Sequence, residues 1–115
     1  NNFNDCLNCL CEGKKSLLII HMNGCPPCKR LLEGSITQLL EKEEYKDRIV
    51  KIERNDFDNC EYFKNLLESN DKTVYSYPTI FIVKRDGNNL DIIEEYSGNR
   101  TINDFIKILG RASSL

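Results

Sequence analysis

Ser16-Leu17-Leu18-Ile19-Ile20-His21-Met22-Asn23-Gly24-Cys25-Pro26-Pro27-Cys28 decides how the rest of this 115-residue chain reads. Residues 16–22 form an apolar run rather than an alternation, which is the pattern of a central strand covered on both faces. Asn23-Gly24 breaks the run. Pro27 then suits the first turn of a helix, where a missing N–H costs nothing. Beyond it Leu31, Leu32, Ile36, Leu39 and Leu40 recur at helical spacing and predict one helix from Pro27 to about Glu44. A buried strand that turns sharply into a long amphipathic helix points to an α/β architecture.

Working outward, Phe3, Leu7 and Leu10 fall at i, i+4 and i+7, so residues 3–11 predict a short helix that Gly13 ends. Residues 49–53 read as a second strand. Asp58 with Glu61 three residues later resembles a capping box for a helix over 59–69, whose apolar face carries Tyr62, Phe63, Leu66 and Leu67. Residues 79–83 and 90–93 predict two strands joined by a turn around Asp86-Gly87-Asn88. Thr101 caps a last helix bearing Ile102, Phe105, Ile106 and Leu109, and Gly110 stops it. The order α-β-α-β-α-β-β-α predicts a three-layer α/β sandwich. Its central mixed sheet has about four strands flanked by helices, and residues 1–115 form a single domain.

Composition narrows the function. Hydrophobic residues at 40% and charged residues at 30% are values of a folded domain rather than a disordered chain. The net charge of −2 comes from 16 basic and 18 acidic residues with the signs interspersed, so no nucleic-acid partner is expected. The longest aliphatic run, Leu17 to Ile20, falls far short of the roughly 20 residues a bilayer span needs. No membrane span is expected, and nothing calls for more than a monomer. The chain begins at Asn1, which leaves the compartment open between the cytoplasm and the secretory-pathway lumen.

The chemistry concentrates at Cys25 and Cys28. A helix N-terminus gathers partial positive charge and unpaired N–H groups, which favour a thiolate over a thiol. Cys25 is expected to be the exposed sulfur that attacks a disulfide. Cys28, one turn in and more buried, would resolve the mixed disulfide. Neither Pro26 nor Pro27 has an N–H, and no His or Arg lies between the cysteines. The N–H of Cys28 and the helix dipole must then stabilise the anion. That predicts a moderate stabilisation and a reductase or isomerase poise, with no cofactor or metal.

With Tyr77-Pro78-Thr79 added to the dithiol, the chain resembles thioredoxin and the thioredoxin-like domains of protein disulfide isomerases. The resemblance covers roughly residues 3–110. It implies a thioredoxin-like fold and a thiol–disulfide oxidoreductase carrying electrons between a redox donor and protein or small-molecule disulfide substrates. It also implies a cis Tyr77–Pro78 bond, with Tyr77 and Pro78 binding an extended substrate beside Pro26 and Pro27. Arg100 falls where an arginine eases deprotonation of the resolving cysteine in disulfide isomerase domains, and Lys29 matches the basic residue that commonly follows the dithiol. The chain departs from the family at Gly24, where thioredoxins usually place a Trp, and at Ile19, where they bury an acidic proton relay. His21, four residues before Cys25, reads as a half-buried strand residue, with a relay role as the other possibility. These departures point to a specialised member.

Three rival readings accompany this one. The first is a glutathione-coupled, glutaredoxin-like enzyme, which the dipeptide between the cysteines does not exclude. In the second, Cys6-x-x-Cys9 followed by Cys25-x-x-Cys28 has the spacing of a four-cysteine zinc site, which tightly held metal would reveal. The third is a thioredoxin-fold adaptor that binds partners without catalysis. Cys11 and Cys60 carry no assigned role.

Overall fold

β1 (Lys15–His21) is the heart of the sheet because five successive residues, Ser16 to Ile20, lose all contact with solvent. Such a strand needs pairing on both edges and cover on both faces. The computed structural model, which describes residues 10–110, supplies all of these. β2 (Ile49–Glu53) lies parallel to β1 with Leu17 opposite Ile49 and His21 opposite Glu53. β3 (Thr79–Asp86) runs antiparallel on the other edge with Leu18 opposite Phe81, and β4 (Asn89–Tyr96) closes the sheet antiparallel to β3. The order is β2-β1-β3-β4, a mixed four-stranded sheet.

Side chains alternate across the sheet, so each strand feeds two cores. On one face Leu17, Ile19, Ile49, Ile80 and Ile82 pack under helices α1 (Pro26–Glu33), α2 (Ser35–Leu40) and α5 (Ile102–Gly110), which contribute Leu31, Ile36, Leu39, Phe105 and Leu109. On the other, Leu18, Ile20, Val50, Phe81 and Val83 meet α3 (Arg54–Asp58) and α4 (Glu61–Ser69) through Phe57, Phe63 and Leu67. Each fully buried aliphatic or aromatic side chain contributes roughly 1.5–3 kcal/mol, so the two layers together dominate stability. The result is the three-layer α/β sandwich.

The helix expected over 27–44 is two helices. Gly34 breaks it with φ −101° and ψ −106°, and a Cβ at that position would sit 2.7 Å from the Arg30 carbonyl oxygen. The second piece stops at Leu40. Arg54–Asp58 forms a short helix that periodicity did not reveal, capped by the Glu53 carboxylate accepting from the Asn55 N–H at 2.7 Å. Asp58 consequently ends α3 instead of capping α4, whose N-cap is Cys60. Both hairpin strands run longer than 79–83 and 90–93 because their outer halves are solvent-facing and lack apolar signal. The helix expected over 3–11 lies mostly outside the described residues. Its last two, Leu10 and Cys11, are not helical. Thr101 caps α5 as read: its hydroxyl oxygen accepts from the Asp104 N–H at 3.2 Å.

One buried cation escapes the sequence reading. Arg48, 2% exposed, donates from Nε to the Lys15 carbonyl at 2.7 Å and from a terminal nitrogen to the Leu109 carbonyl. It thereby pins the start of β1 to the last turn of α5, where a helix C-terminus favours positive charge.

Candidate active site

The C-terminal end of β1 delivers the chain to a turn, Asn23-Gly24, that only glycine-like backbone geometry completes. Gly24 has φ +76°. A β-carbon there meets no neighbour, so the demand is purely torsional and disfavours any L-residue at this position. Cys25 follows as the N-cap of α1, with Pro26 and Pro27 at its first two positions. The Cys28 N–H lies 3.2 Å from Cys25 Sγ and donates to it. The two prolines remove the competing donors, so a single backbone N–H serves the sulfur.

Cys25 and Cys28 lie at disulfide-bonding distance, with Cα atoms 5.2 Å apart. Cys25 is 9% exposed and Cys28 2%, so the exposed first sulfur expected from sequence is in fact largely covered. Part of the cover comes from the loop before β3: Cys25 Sγ sits 3.6 Å from the Tyr77 carbonyl oxygen. The Tyr77–Pro78 peptide is cis. Thus the Tyr77 carbonyl, 52 residues along the chain, faces Cys25. Tyr77 is half-buried and packs on the α4 side of the core, while Pro78 is buried.

An open groove of about 680 Å³ borders the dithiol and is walled by His21, Met22, Cys25, Pro26, Cys28 and Leu32. Lys29 and Glu33 stand at its α1 side. Pro26 is exposed at its rim and Pro27 is half-buried. Arg100 is exposed and donates to the Pro78 carbonyl at 3.5 Å, which places its guanidinium at the cis-proline loop. Ile19 is wholly buried in the layer beneath α1, so an aliphatic side chain fills the place where thioredoxins bury an acid. Glu53 accepts from the Asn23 N–H at 3.4 Å besides capping α3, tying the turn before Cys25 to the end of β2. Burial holds the His21 imidazole below the ordinary histidine value. The Glu53 carboxylate opposes that, Lys51 reinforces it, and Asp56 opposes it more weakly.

Glu53 and the torsion at Gly24 are site features the sequence reading missed. Glu53 carried a detectable signal, an acidic residue immediately before a helix start, but the helix itself was too short to announce it. Among the described residues no group of three His, Cys, Asp or Glu could hold a metal. Cys6 and Cys9 of the zinc reading lie outside them. The segment preceding Cys25 is the central strand rather than the short hairpins of a zinc ribbon. Among the described residues no helix is long and apolar enough to cross a membrane. A dithiol at disulfide distance on the head of a helix, with a backbone carbonyl opposite, is equipment for thiol–disulfide exchange.

Comparison with known proteins agrees with the fold. Solved structures similar to the chain include Trichomonas vaginalis thioredoxin, at 21% identity over 97% of this chain and 89% of that one, with TM-score 0.56. The first thioredoxin domain of mouse protein disulfide-isomerase A4 matches at 19% identity, 97% and 70% coverage and TM-score 0.56. Human ERp44 in a zinc-bound form matches at 18% identity and TM-score 0.56 over 93% of this chain, which spans only 28% of that protein. At these identities the likeness is one of fold. No curated protein sequence matches the chain. The sequence model of the thioredoxin-like domain family matches residues 8–113, and the chain therefore belongs to that family.

Proposed function

We propose that the chain reduces or isomerises protein disulfides through the Cys25–Cys28 dithiol. The observation that supports this most directly is the Cys25 sulfur at the head of α1, 3.2 Å from the Cys28 N–H and 3.6 Å from the Tyr77 carbonyl. In the reduced protein Cys25 is the nucleophile. Its thiolate attacks one sulfur of a substrate disulfide, a mixed disulfide forms, and the other substrate sulfur leaves as a thiolate. Cys28 then attacks Cys25 Sγ, which closes the protein disulfide and expels the second substrate sulfur. Two electrons pass from the dithiol to the substrate. A redox donor restores the dithiol.

The remaining residues bind and assist. The Tyr77 carbonyl accepts an N–H from an extended substrate segment, so the cysteine of that segment lies over Cys25. Pro26 and Pro78 shape the rim on which the segment rests, and Pro27 sets the first turn of α1. Arg100 assists deprotonation of Cys28 by approaching from the Pro78 carbonyl.

Reduction of insulin disulfides by the purified chain with a thiol donor tests this reading. The wild type accelerates the reaction and Cys25→Ser abolishes the acceleration. Cys28→Ser instead accumulates a mixed disulfide on Cys25, visible as an adduct by intact mass spectrometry. Acceleration that persists in Cys25→Ser contradicts the reading.

A further inference from the structure

The face of the sheet beneath α1 poses a chemical problem: resolution requires Cys28 to lose a proton, yet Cys28 is 2% exposed and the β1 side chains in the layer under α1, Leu17 and Ile19, are aliphatic. Strand alternation offers an answer. Leu17, Ile19 and His21 project from the same face of β1, the face on which α1 packs. His21 is the last residue of that series, at the end of the strand nearest the dithiol. It walls the same groove as Cys25, Cys28 and Leu32. It is also the single histidine of the chain.

We infer that His21 is the base that takes the Cys28 proton during resolution of the mixed disulfide. The inference rests on the dithiol reading and deepens it. A ring nitrogen of neutral His21 accepts the Cys28 S–H proton, directly or through one water in the groove. The Cys28 thiolate attacks Cys25 Sγ and the S–S bond to the substrate breaks. The departing substrate thiolate takes the proton back from the imidazolium, so atoms and charge balance.

The surroundings suit a base near neutral pH. β2 presents Lys51 and Glu53 to His21 and α3 presents Asp56. Lys29 and Glu33 of α1 face the same groove. Burial keeps the ring neutral in the resting protein, and the Glu53 carboxylate, opposite His21 in the strand register, favours the imidazolium when it forms. Arg100, by contrast, is engaged at the Pro78 carbonyl. Its role would be electrostatic, since a guanidinium does not act as a base.

The two half-reactions separate under single-turnover conditions. Reduced wild type and His21→Gln are mixed with a disulfide-bonded peptide, quenched in acid at intervals and analysed by intact mass and peptide mapping. Formation of the Cys25 mixed disulfide should proceed within about twofold of wild type in His21→Gln, which also shows that the variant is folded. Its disappearance should slow about tenfold or more near neutral pH. Wild-type resolution should rise with pH through an inflection below the ordinary histidine value, and His21→Gln should lack that inflection. Added imidazole should restore resolution in His21→Gly. Unchanged resolution with an unchanged pH profile in His21→Gln overturns the inference while leaving the dithiol reading intact. Absence of both a Cys25 adduct in Cys28→Ser and a newly formed Cys25–Cys28 disulfide in the wild type overturns the dithiol reading itself.

Discussion

At the scale of single residues, three positions around the dithiol carry most of the local physics. Gly24 holds φ +76°, a conformation that costs an L-residue about 1–2 kcal/mol. Gly24→Ala should therefore lower unfolding stability in urea by about 1 kcal/mol, with a small effect on the fold because no atom crowds the new methyl. Cys25 receives one backbone N–H because Pro26 and Pro27 supply none, and this much was legible from the four letters of the motif. Its burial was not legible. The Tyr77 carbonyl that covers it comes from 52 residues away, and proximity of that kind exists only after the sheet has paired β1 with β3. Ile19 and His21 could be placed on one face from strand period alone. Their relation to Cys28 needed the packing of α1.

At the scale of elements, apolar pattern located the strands and most helices but did not show where a helix breaks. The central run 16–22 became β1 nearly residue for residue, because an apolar run that short, closed by Asn23-Gly24, fits a strand and is too brief for a helix. The α1–α2 break did not show, since Leu31, Leu32, Ile36 and Leu39 keep helical spacing across Gly34. What splits the helix is the Gly34 backbone at φ −101° and ψ −106°, where a β-carbon would sit 2.7 Å from the Arg30 carbonyl oxygen. Gly34→Ala should accordingly destabilise the protein by about 1–3 kcal/mol in denaturant titrations, rather than stabilise it as glycine replacement in a regular helix does. Arg48 makes a parallel point. In sequence it is one of 16 basic residues, yet it is buried against the Lys15 and Leu109 carbonyls. Arg48→Ala should cost about 2–4 kcal/mol, because two carbonyls lose their donor and a cavity opens.

At the scale of the whole molecule, a sheet covered by two helical layers supports a site at the carboxyl end of β1, where strand, turn and helix cap meet. The same burial that keeps His21 neutral couples folding to pH. Its folded-state value is depressed below the unfolded value of about 6.5, so the unfolded chain binds the proton first as pH falls. The stabilisation is fully present above about pH 6.5 and is lost as pH drops through the folded value. Thermal denaturation at stepped pH should show the wild type losing stability across that window relative to His21→Gln. The most direct test of the central claim is the equilibrium of the reduced and oxidised chain in defined glutathione buffers. Two-electron interconversion of Cys25 and Cys28 with a potential between about −270 and −180 mV is the predicted result. A pair that stays as two thiols, or as a fixed bridge, across the whole range of buffers contradicts it.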